Sequence, residues 1–400
     1  MGHTDNVSRF GDGVAVLAGL PAAEAADADL LVAADRAAEA AIRDLDGPPD
    51  LVSVFVSGAA RRASAIAARV AERTGASHVV GCTAGGVIGG GKGIEDAPAV
   101  SVWAARLPTA RLRTFHLEVI RTPEGMTVIG MPERMPDDHV AVVLADPWSF
   151  PAESYVERVD SALPGLALVG GLASGPGPAG STRLFLDGKS YERGAVGGLI
   201  GGDVEVRTVV AQGCRPIGHP MTVTAAEGNV VLEIAGMPAL AKLEQIVAGL
   251  DERDRRMVRS GGLAVGIARD EYAEELKQGD FLVRGILGAD AARSALAIGD
   301  RVEVGQTLTF QVRDASSASE DLRAMLGRAL ADGGPAKGAL LFSCNGRGKV
   351  LFADPAHDVS MVRELLGVDG VAGFFAAGEL GPVAGRNYLH GFTASVLAFR

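Results

Sequence analysis

The sequence predicts an α/β or α+β protein with layered sheets and outer helices, built from pseudo-repeated strand–helix–strand units. Three observations predict it. Short apolar segments alternate with helical segments, this order recurs three times, and each recurrence carries two glycines five residues apart. Glycine contributes 54 of the 400 residues, about twice the usual share, but without a three-residue period, so a collagen-like chain is excluded.

The first strand–helix–strand unit follows an N-terminal helix. Asp29–Leu45 has apolar residues at helical spacing, and Gly47-Pro48-Pro49 ends this helix. The unit is predicted as a strand, a helix, a short strand and a further strand: Leu51–Val56, Ala60–Thr74, His78–Val80 and Pro98–Ala105.

Two further units repeat this order. The second comprises Val140–Ala145, Pro151–Leu163, Leu166–Val169 and Gly194–Ile200. The third comprises Ala339–Phe342, Val359–Leu366, Val371–Ala372 and Gly391–Phe399. The glycine pairs are Gly81/Gly86, Gly170/Gly175 and Gly373/Gly378. Because glycine lets the backbone approach another group closely, these strand ends are predicted to line a pocket.

The stretch between the second and third units differs from them. Its predicted strands are Val204–Val210, Met221–Ala225, Phe281–Leu287 and Thr307–Val312. A long helix is predicted over Pro238–Val258, and Ser319 is predicted to cap a helix that runs to Leu330. Turn signals within Gly213–Pro220 predict a domain boundary, which divides the chain into residues 1–215 and 216–400.

Charge and cysteine content bound the possible partners and compartment. The formal net charge is −11 with no basic stripe, so no nucleic-acid partner is expected. Three cysteines without a disulfide pattern or a signal peptide indicate a cytoplasmic protein. No apolar run is long enough for membrane insertion. The histidines are scattered, so no metal is expected, and no cofactor is expected either.

Two glycine motifs resemble known sites and fail their requirements. Gly86–Gly93 is close to a phosphate-binding P-loop, but Gly93 replaces the required hydroxyl, so a flexible glycine loop is predicted. Gly81–Gly85 resembles a nucleophile elbow without the helix that must follow it. Cys82 is therefore predicted as a small buried side chain at a tight turn, and Gly81 and Cys82 are kept among the candidate ligand contacts.

The C-terminal region concentrates polar residues beside glycines. The candidate ligand contacts there are Cys344, Asn345, Arg347, Glu379, Arg386, Asn387, His390 and Thr393. An arginine can hold a carboxylate, and Glu379 can accept from an ammonium group, so a zwitterion such as an amino acid is a candidate ligand. Two alternatives remain open: the polar residues only bond turns and cap strands, or Cys344 and His390 form a thiol catalytic dyad.

The sequence resembles the FIST family, named for F-box and intracellular signal transduction proteins. Three blocks carry most of this resemblance: Val80–Gly86, Phe342–Gly348 and Gly373–Thr393. Further support comes from Gly213–Gly218 and Asp280–Arg284. The resemblance implies a sensory protein with an N-terminal and a C-terminal FIST domain that binds small ligands, with amino acids among the candidates. The leading hypothesis is a non-catalytic sensor.

In this family such modules are coupled to signalling outputs. The two FIST-like halves fill this chain, so the output is expected from a separate signalling partner. A protein-interaction scaffold, as in the F-box relatives, is a further alternative. The family provides no confirmed catalytic residues to transfer to this sequence.

Overall fold

A computed structural model describes residues 8–16, 27–58, 62–95, 97–123, 125–271, 273, 276 and 278–400. The fold is mixed α/β, with 25% helix and 45% strand, which confirms the predicted class. The chain forms two compact units. The first comprises residues 1–210, 322–389 and 394–400, and the second comprises residues 211–321 and 390–393. The division predicted between residues 215 and 216 concerns two consecutive domains. The compact units are not consecutive in sequence, because each contains separate segments of the chain, so this division stays a prediction.

The helices among the described residues are α1 (Asp27–Ile42), α2 (Ala63–Thr74), α3 (Ala152–Ala162), α4 (Ala239–Gly249), α5 (Glu252–Met257), α6 (Ala315–Ala331) and α7 (His357–Leu366). Short π-helical segments lie at Val258–Gly262 and Gly348–Phe352.

The strands up to residue 202 are β1 (Arg9–Val16), β2 (Leu51–Ser57), β3 (His78–Ala84), β4 (Gly86–Gly89), β5 (Lys92–Glu95), β6 (Ala99–Arg106), β7 (Ala110–Thr122), β8 (Gly125–Ile129), β9 (Asp138–Ala145), β10 (Ala167–Leu172), β11 (Leu184–Leu186), β12 (Lys189–Tyr191) and β13 (Ala195–Gly202). The later strands are β14 (Val206–Gln212), β15 (Cys214–Glu227), β16 (Val230–Ile234), β17 (Met237–Pro238), β18 (Leu263–Ala268), β19 (Phe281–Asp290), β20 (Ala295–Ile298), β21 (Thr307–Arg313), β22 (Gly338–Cys344), β23 (Val371–Ala376), β24 (Glu379–Val383), β25 (Arg386–His390) and β26 (Thr393–Phe399).

Three sheets build the first unit. Their strand orders are β1-β6-β2-β3-β11-β12, β25-β24-β10-β9-β13-β7-β8 and β14-β26-β22-β23-β4-β5. Each contains one strand–helix–strand unit whose two strands are parallel: β2 with β3, β9 with β10 and β22 with β23. In each sheet a later strand, β6, β13 or β26, pairs antiparallel with the first strand of the unit. The pseudo-repeat inferred from the sequence itself stays a prediction.

The chain also links these three sheets in a closed cycle. After β3 it enters the sheet of β23 as β4, and after β23 it enters the sheet of β10 as β24. After β10 it enters the first sheet again as β11, beside β3. Backbone hydrogen bonds fasten one crossing, since Leu172 N–H donates to Gly378 O at 2.8 Å and Ala377 N–H donates to Leu172 O at 3.0 Å.

Close strand packing accounts for the first glycine of each pair. A Cβ added to Gly81, Gly170 or Gly373 would lie 2.0, 2.0 or 1.7 Å from a carbonyl oxygen of the neighbouring parallel strand. No real Cβ approaches backbone that closely, so the three positions require glycine for packing inside the sheet.

The core of the first unit follows the alternation of side chains along the strands. Phe55 and Trp103 of the first sheet, Leu144 of the second, and Phe342 and Phe374 of the third belong to one buried cluster. The opposite face of the first sheet packs against α1 and α2, and the corresponding face of the second sheet packs against α3. These helices therefore lie outside their sheets, as predicted.

The second unit contains the fourth sheet, with strand order β15-β21-β18-β19-β20-β16-β17. Its core includes Val265 and Phe310 from the sheet and Leu243 from α4. The turn signals that predicted a boundary at Gly213–Pro220 lie largely inside the long strand β15.

Three local predictions are wrong: the single helix over Pro238–Val258, the helix cap at Ser319 and the glycine loop. The helix predicted over Pro238–Val258 is divided between α4 and α5, because Asp251 caps α5 by accepting from Asp254 N–H at 2.8 Å. Ser319 lies inside α6, where its hydroxyl donates to Ala315 O, and Asp314 accepts from the N–H groups of Ser316 and Ser317 instead.

The glycine loop predicted at Gly86–Gly93 is a β-hairpin, formed by β4 and β5. Gly90 and Gly91 both have positive φ, 55° and 70°, as a tight two-residue hairpin turn requires. The helix start predicted at Ala60 lies outside the described residues, and α2 is described from Ala63.

Candidate functional site

A buried charged cluster lies at the carboxyl ends of the parallel strands β22 and β23. Cys344 ends β22 and Ala376 ends β23, and Asn345 N–H donates to Ala376 O at 2.8 Å. Arg347 follows the first strand by three residues, and Glu379 follows the second by three. The carboxyl ends of parallel strands are the usual location of ligand sites in α/β proteins.

Arg347 forms a two-pronged ion pair with Asp358 near the start of α7. The guanidinium is fully buried, and its Nε and Nη2 donate to Asp358 Oδ2 and Oδ1 at 2.7 and 2.9 Å. Ser343 Oγ donates to Oδ2 at 2.7 Å, and His357 Nδ1 lies 2.9 Å from Oδ1. This bidentate geometry fixes the plane of the guanidinium as well as its position.

Arg347 and Asp358 each shift the pKa of the other. Burial raises the pKa of Asp358, but the Arg347 charge and the hydrogen bonds from His357, Arg347 and Ser343 bring it below its ordinary value. Burial lowers the pKa of Arg347, yet the Asp358 carboxylate raises it further than burial lowers it. Both groups are therefore charged at neutral pH.

Aromatic packing holds the guanidinium from another side. The short π-helical segment after Arg347 ends at Phe352, whose ring centroid lies 5.3 Å from the Arg347 Cζ atom. The Phe352 ring stacks on His357 at 3.6 Å with an interplanar angle of 8°. Phe352 and Asp358 thus leave Arg347 little rotational freedom.

One nitrogen of Arg347 remains unused. Its Nη1 is buried and has no hydrogen-bond partner among the residues that the structure describes. The guanidinium also interacts electrostatically with Cys344 and Glu379. A buried donor without an acceptor costs about 1–3 kcal/mol, so an oxygen atom of a ligand or of water would stabilise this position.

Glu379 is fully buried and begins β24, opposite Gly171 of β10. A Cβ at Gly171 would lie 2.8 Å from Gly378 O and 2.9 Å from Ala376 Cβ. Glycine at 171 therefore permits the close approach of the two strand ends that brings Glu379 to this edge.

Arg386 and Asn387 do not join this cluster. Both lie in β25 beside Asp160 and the start of β10, whereas Glu379 pairs near the end of β10. Asn387 Oδ1 accepts from Leu168 N–H, three residues and about 10 Å along the strand from Gly171.

The polar atoms of Asn387 are already used. Its amide nitrogen donates to Asp160 Oδ1 at 2.6 Å and to Leu166 O at 2.9 Å. The side chain of Arg386 is 71% exposed and lies 4.0 Å from Asp160. Asn387 therefore bridges β25 to α3 and to the start of β10 within the same sheet.

The remaining candidates are His390, Thr393, Cys344, Cys82 and Gly81. His390 and Thr393 are buried and belong to the second compact unit, whereas Cys344 belongs to the first. Cys82 is fully buried in the core of the first unit, where burial raises the pKa of its thiol. Gly81 lies directly beside the Val54 carbonyl, inside the sheet.

Sequence reasoning missed Asp358, Ser343 and Phe352 as members of the cluster. Ser343 had a detectable signal, because it lies in the segment Phe342–Gly348 that was singled out. Asp358 had a weaker one, as an acidic residue in the first turn of a predicted helix. No group of three or more His, Cys, Asp or Glu side chains suited to a metal ion occurs in the described part of the chain.

The fold and this cluster define a mixed α/β protein with a buried, charged site at the ends of parallel strands. Family models match most of the chain: the FIST N domain over residues 50–237 and the FIST C domain over residues 239–382. The chain belongs to the FIST family, as the sequence resemblance predicted.

Relatives in mycobacteria cover the chain nearly end to end. An uncharacterized protein of Mycobacterium tuberculosis strain H37Rv is 44% identical over 374 residues, which cover 93% of this chain and 97% of the relative. An uncharacterized protein of Mycobacterium bovis is also 44% identical over 374 residues, covering 93% and 96%. FIST domains are sensory domains of signal transduction. Within the described residues, no helix is long and apolar enough to span a membrane.

Proposed function

We propose that this protein is a cytoplasmic sensor that binds a small ligand and acts in intracellular signal transduction through a separate partner protein. The family membership supports the sensory role. The observation that carries the ligand proposal is the unused, buried Nη1 of Arg347 beside Glu379. No nucleic acid and no membrane insertion are part of this proposal.

An amino acid is the proposed ligand class. Its carboxylate would accept from Arg347 Nη1, and its ammonium would donate to the Glu379 carboxylate. Arg347 is already fixed by Asp358 and Phe352, so ligand binding would not have to order this side chain. Preorganisation of this kind lowers the entropic cost of binding. Asn345, directly after β22, is a further proposed contact.

Thermal unfolding of the full chain with a panel of amino acids tests this proposal. A ligand present at 100 times its Kd should raise the free energy of unfolding by about 2.7 kcal/mol. The corresponding amines and N-acetylated acids should bind more weakly, because each lacks one of the two charges. A panel without any stabilising amino acid would contradict the proposal.

Glu379→Gln locates the site once such a ligand is found. This nearly isosteric change should weaken binding about tenfold or more, since a hydrogen bond to a charged group contributes about 1.5–3 kcal/mol. The matched control is Glu72→Gln, at a glutamate that is 71% exposed in an ion pair with Arg69. Equal affinities of the Glu379→Gln variant and the unaltered protein would remove Glu379 from the site.

A thiol-dependent enzyme is the second candidate function. Cys344 interacts electrostatically with the Arg347 guanidinium, and its Sγ accepts from Gly346 N–H at 3.5 Å. A neighbouring positive charge favours the reactive thiolate. Iodoacetamide labelling at pH 7 should then modify Cys344 faster than Cys82, which lies in the core. Equally slow labelling of both residues would argue against this function.

A further inference from the structure

A cavity of the first unit is lined by residues far along the sequence from the Arg347 cluster. It has a volume of about 830 Å³ and lies between α3, the β7–β8 hairpin and the segment Met131–Arg134. Cavities that hold drug-sized molecules are typically about 300–1,000 Å³. This cavity opens to solvent along one side of α3, where Ser154, Arg158 and Ala162 are exposed.

The walls of this cavity are mainly apolar. The β8 side contributes Met126 and Val128, the following segment contributes Met131, and α3 contributes Tyr155 and Val159. Met126 is 57% exposed, although a large apolar side chain is usually covered. Methionine side chains are flexible and adapt to differently shaped apolar ligands.

A single polar group lies deep in this wall among the residues named above, the hydroxyl of Tyr155. The ring is buried and packs edge-on against Phe150 at 5.1 Å. Its hydroxyl donates to Met131 Sδ at 3.4 Å, and thioether sulfur is a weak acceptor. Burial raises the pKa of Tyr155, so the hydroxyl stays protonated and can donate to a better acceptor.

The rim of the cavity carries positive charge. Arg134 and Arg158 both line it, and neither has an ion pair among the residues that the structure describes. Arg134 Nη1 donates to Pro164 O at 2.5 Å, which holds its stem at the cavity. Glu133 is the acidic residue of the lining, so the two guanidiniums leave a net positive rim. Guanidinium groups pair well with carboxylates.

We propose that this cavity binds an amphipathic organic anion, a carboxylate with an apolar body, whose tail packs on Met126, Met131 and Val159 and whose carboxylate faces Arg134 and Arg158. The site is separate from the Arg347 cluster and from the amino-acid proposal. The unpaired guanidiniums select an anion, and the apolar walls select a hydrocarbon or aryl body.

Decanoate is a suitable probe, with decanol and decyltrimethylammonium as neutral and cationic controls of equal chain length. Calorimetric titration of the full chain should show saturable binding of one decanoate. We expect binding about three- to tenfold weaker for decanol and weaker still for the cation, because exposed charge pairs contribute about 0.2–1 kcal/mol each. Equal binding of the three probes, or no saturable decanoate binding, would overturn the proposal.

Substitutions at the cavity test whether decanoate binds there. Ala162→Trp and Ser154→Trp place a bulky ring at either end of the exposed side of α3, and each should abolish decanoate binding. Arg158→Gln should weaken it about two- to fivefold. Arg36→Gln, at an exposed arginine of α1 that does not line the cavity, is the matched control and should leave affinity unchanged. Glu379→Gln should also leave it unchanged, which separates this test from the amino-acid site.

Sedimentation of the same variants examines the other occupant of an apolar groove, a second copy of the chain. A concentration-dependent dimer that Ala162→Trp and Ser154→Trp both dissociate would assign the cavity to self-association and overturn the ligand proposal. A sedimentation coefficient that these variants leave unchanged, together with lost decanoate binding, is the result we expect.

Discussion

Arg215 and Arg347 both lie beside acidic groups, and they differ in how many of their side-chain nitrogens those groups accept from. Arg215 of the second unit donates from Nε to Asp314 Oδ2 at 2.7 Å and from Nη1 to Asp254 Oδ2 at 3.2 Å. Its Nη2 donates to the other oxygen of Asp254. Arg347 of the first unit uses only Nε and Nη2, and Nη1 is left over.

Under the proposed function, this difference would separate an ion pair that only supports the fold from one that also binds a ligand. Every side-chain nitrogen of Arg215 has a carboxylate partner, and its side chain retains 22% exposure to water. Arg347 is fully buried, so water in bulk cannot satisfy its Nη1. Both arginines are charged and both form an ion pair with an aspartate, so these properties do not distinguish them. They differ in the number of side-chain nitrogens that donate a hydrogen bond and in their exposure to water.

The largest expected effect is the loss of one carboxylate from each cluster. Asp358→Asn leaves the buried Arg347 without a counter-charge and should lower the free energy of unfolding by about 3–5 kcal/mol. Asp254→Asn should cost about 1 kcal/mol or less, because Arg215 keeps Asp314 and partial access to water. Urea unfolding followed by circular dichroism measures both. Equal losses would show that the two clusters do not differ.

Ser343 tests whether the hydroxyl contributes to the buried cluster. Ser343→Ala removes the 2.7 Å hydrogen bond to Asp358 Oδ2 and should cost about 1.5–3 kcal/mol, the range for hydrogen bonds to charged groups. Ser316→Ala is the matched control in the second unit, since its hydroxyl donates to Glu320 at the surface. It should change stability by less than about 0.5 kcal/mol. A Ser343→Ala substitution without effect on stability would show that Arg347 and His357 hold Asp358 without the hydroxyl.

The sequence predicted part of the Arg347 site for physical reasons. Arg347 and Glu379 were selected as polar residues beside glycines after apolar segments, and the structure places both at the carboxyl ends of the parallel strands β22 and β23. Asp358 lies on a helix, and only the packing of α7 brings it to Arg347. Arg386 follows Glu379 closely in sequence, but the β24–β25 hairpin carries it back along the sheet.

The fold class was predictable because the alternation of strands and helices is local. The two compact units were not, because residues 322–389 rejoin the first unit after more than a hundred residues in the second. The same limit applies to the glycines. The number of glycines can be counted in the sequence. The close approach of Gly373 to the Leu341 carbonyl cannot be predicted from it, because this approach depends on the pairing of β22 with β23.

The smallest effect we predict is a dependence of stability on pH. The folded-state pKa of Asp358 lies below its value in the unfolded chain, so its contribution is fully present above the unfolded pKa of about 3.9. It is lost as the pH falls through the folded pKa, because the unfolded chain binds the proton first. The slope of the unfolding free energy for this group can reach about 1.4 kcal/mol per pH unit.

Asp314 contributes with the same sign. Burial raises its pKa, but the hydrogen bond from Arg215, the Ser317 backbone and the neighbouring arginine charges lower it overall. The pH profile of the whole protein therefore mixes the two clusters, and the difference between the unaltered protein and Asp358→Asn isolates one of them. That difference should be constant from pH 7 to 5 and should shrink below about pH 4. A difference that instead changes between pH 7 and 5 would mean that Asp358 titrates near neutrality, and its pairing with Arg347 would then have to be weaker than the geometry indicates.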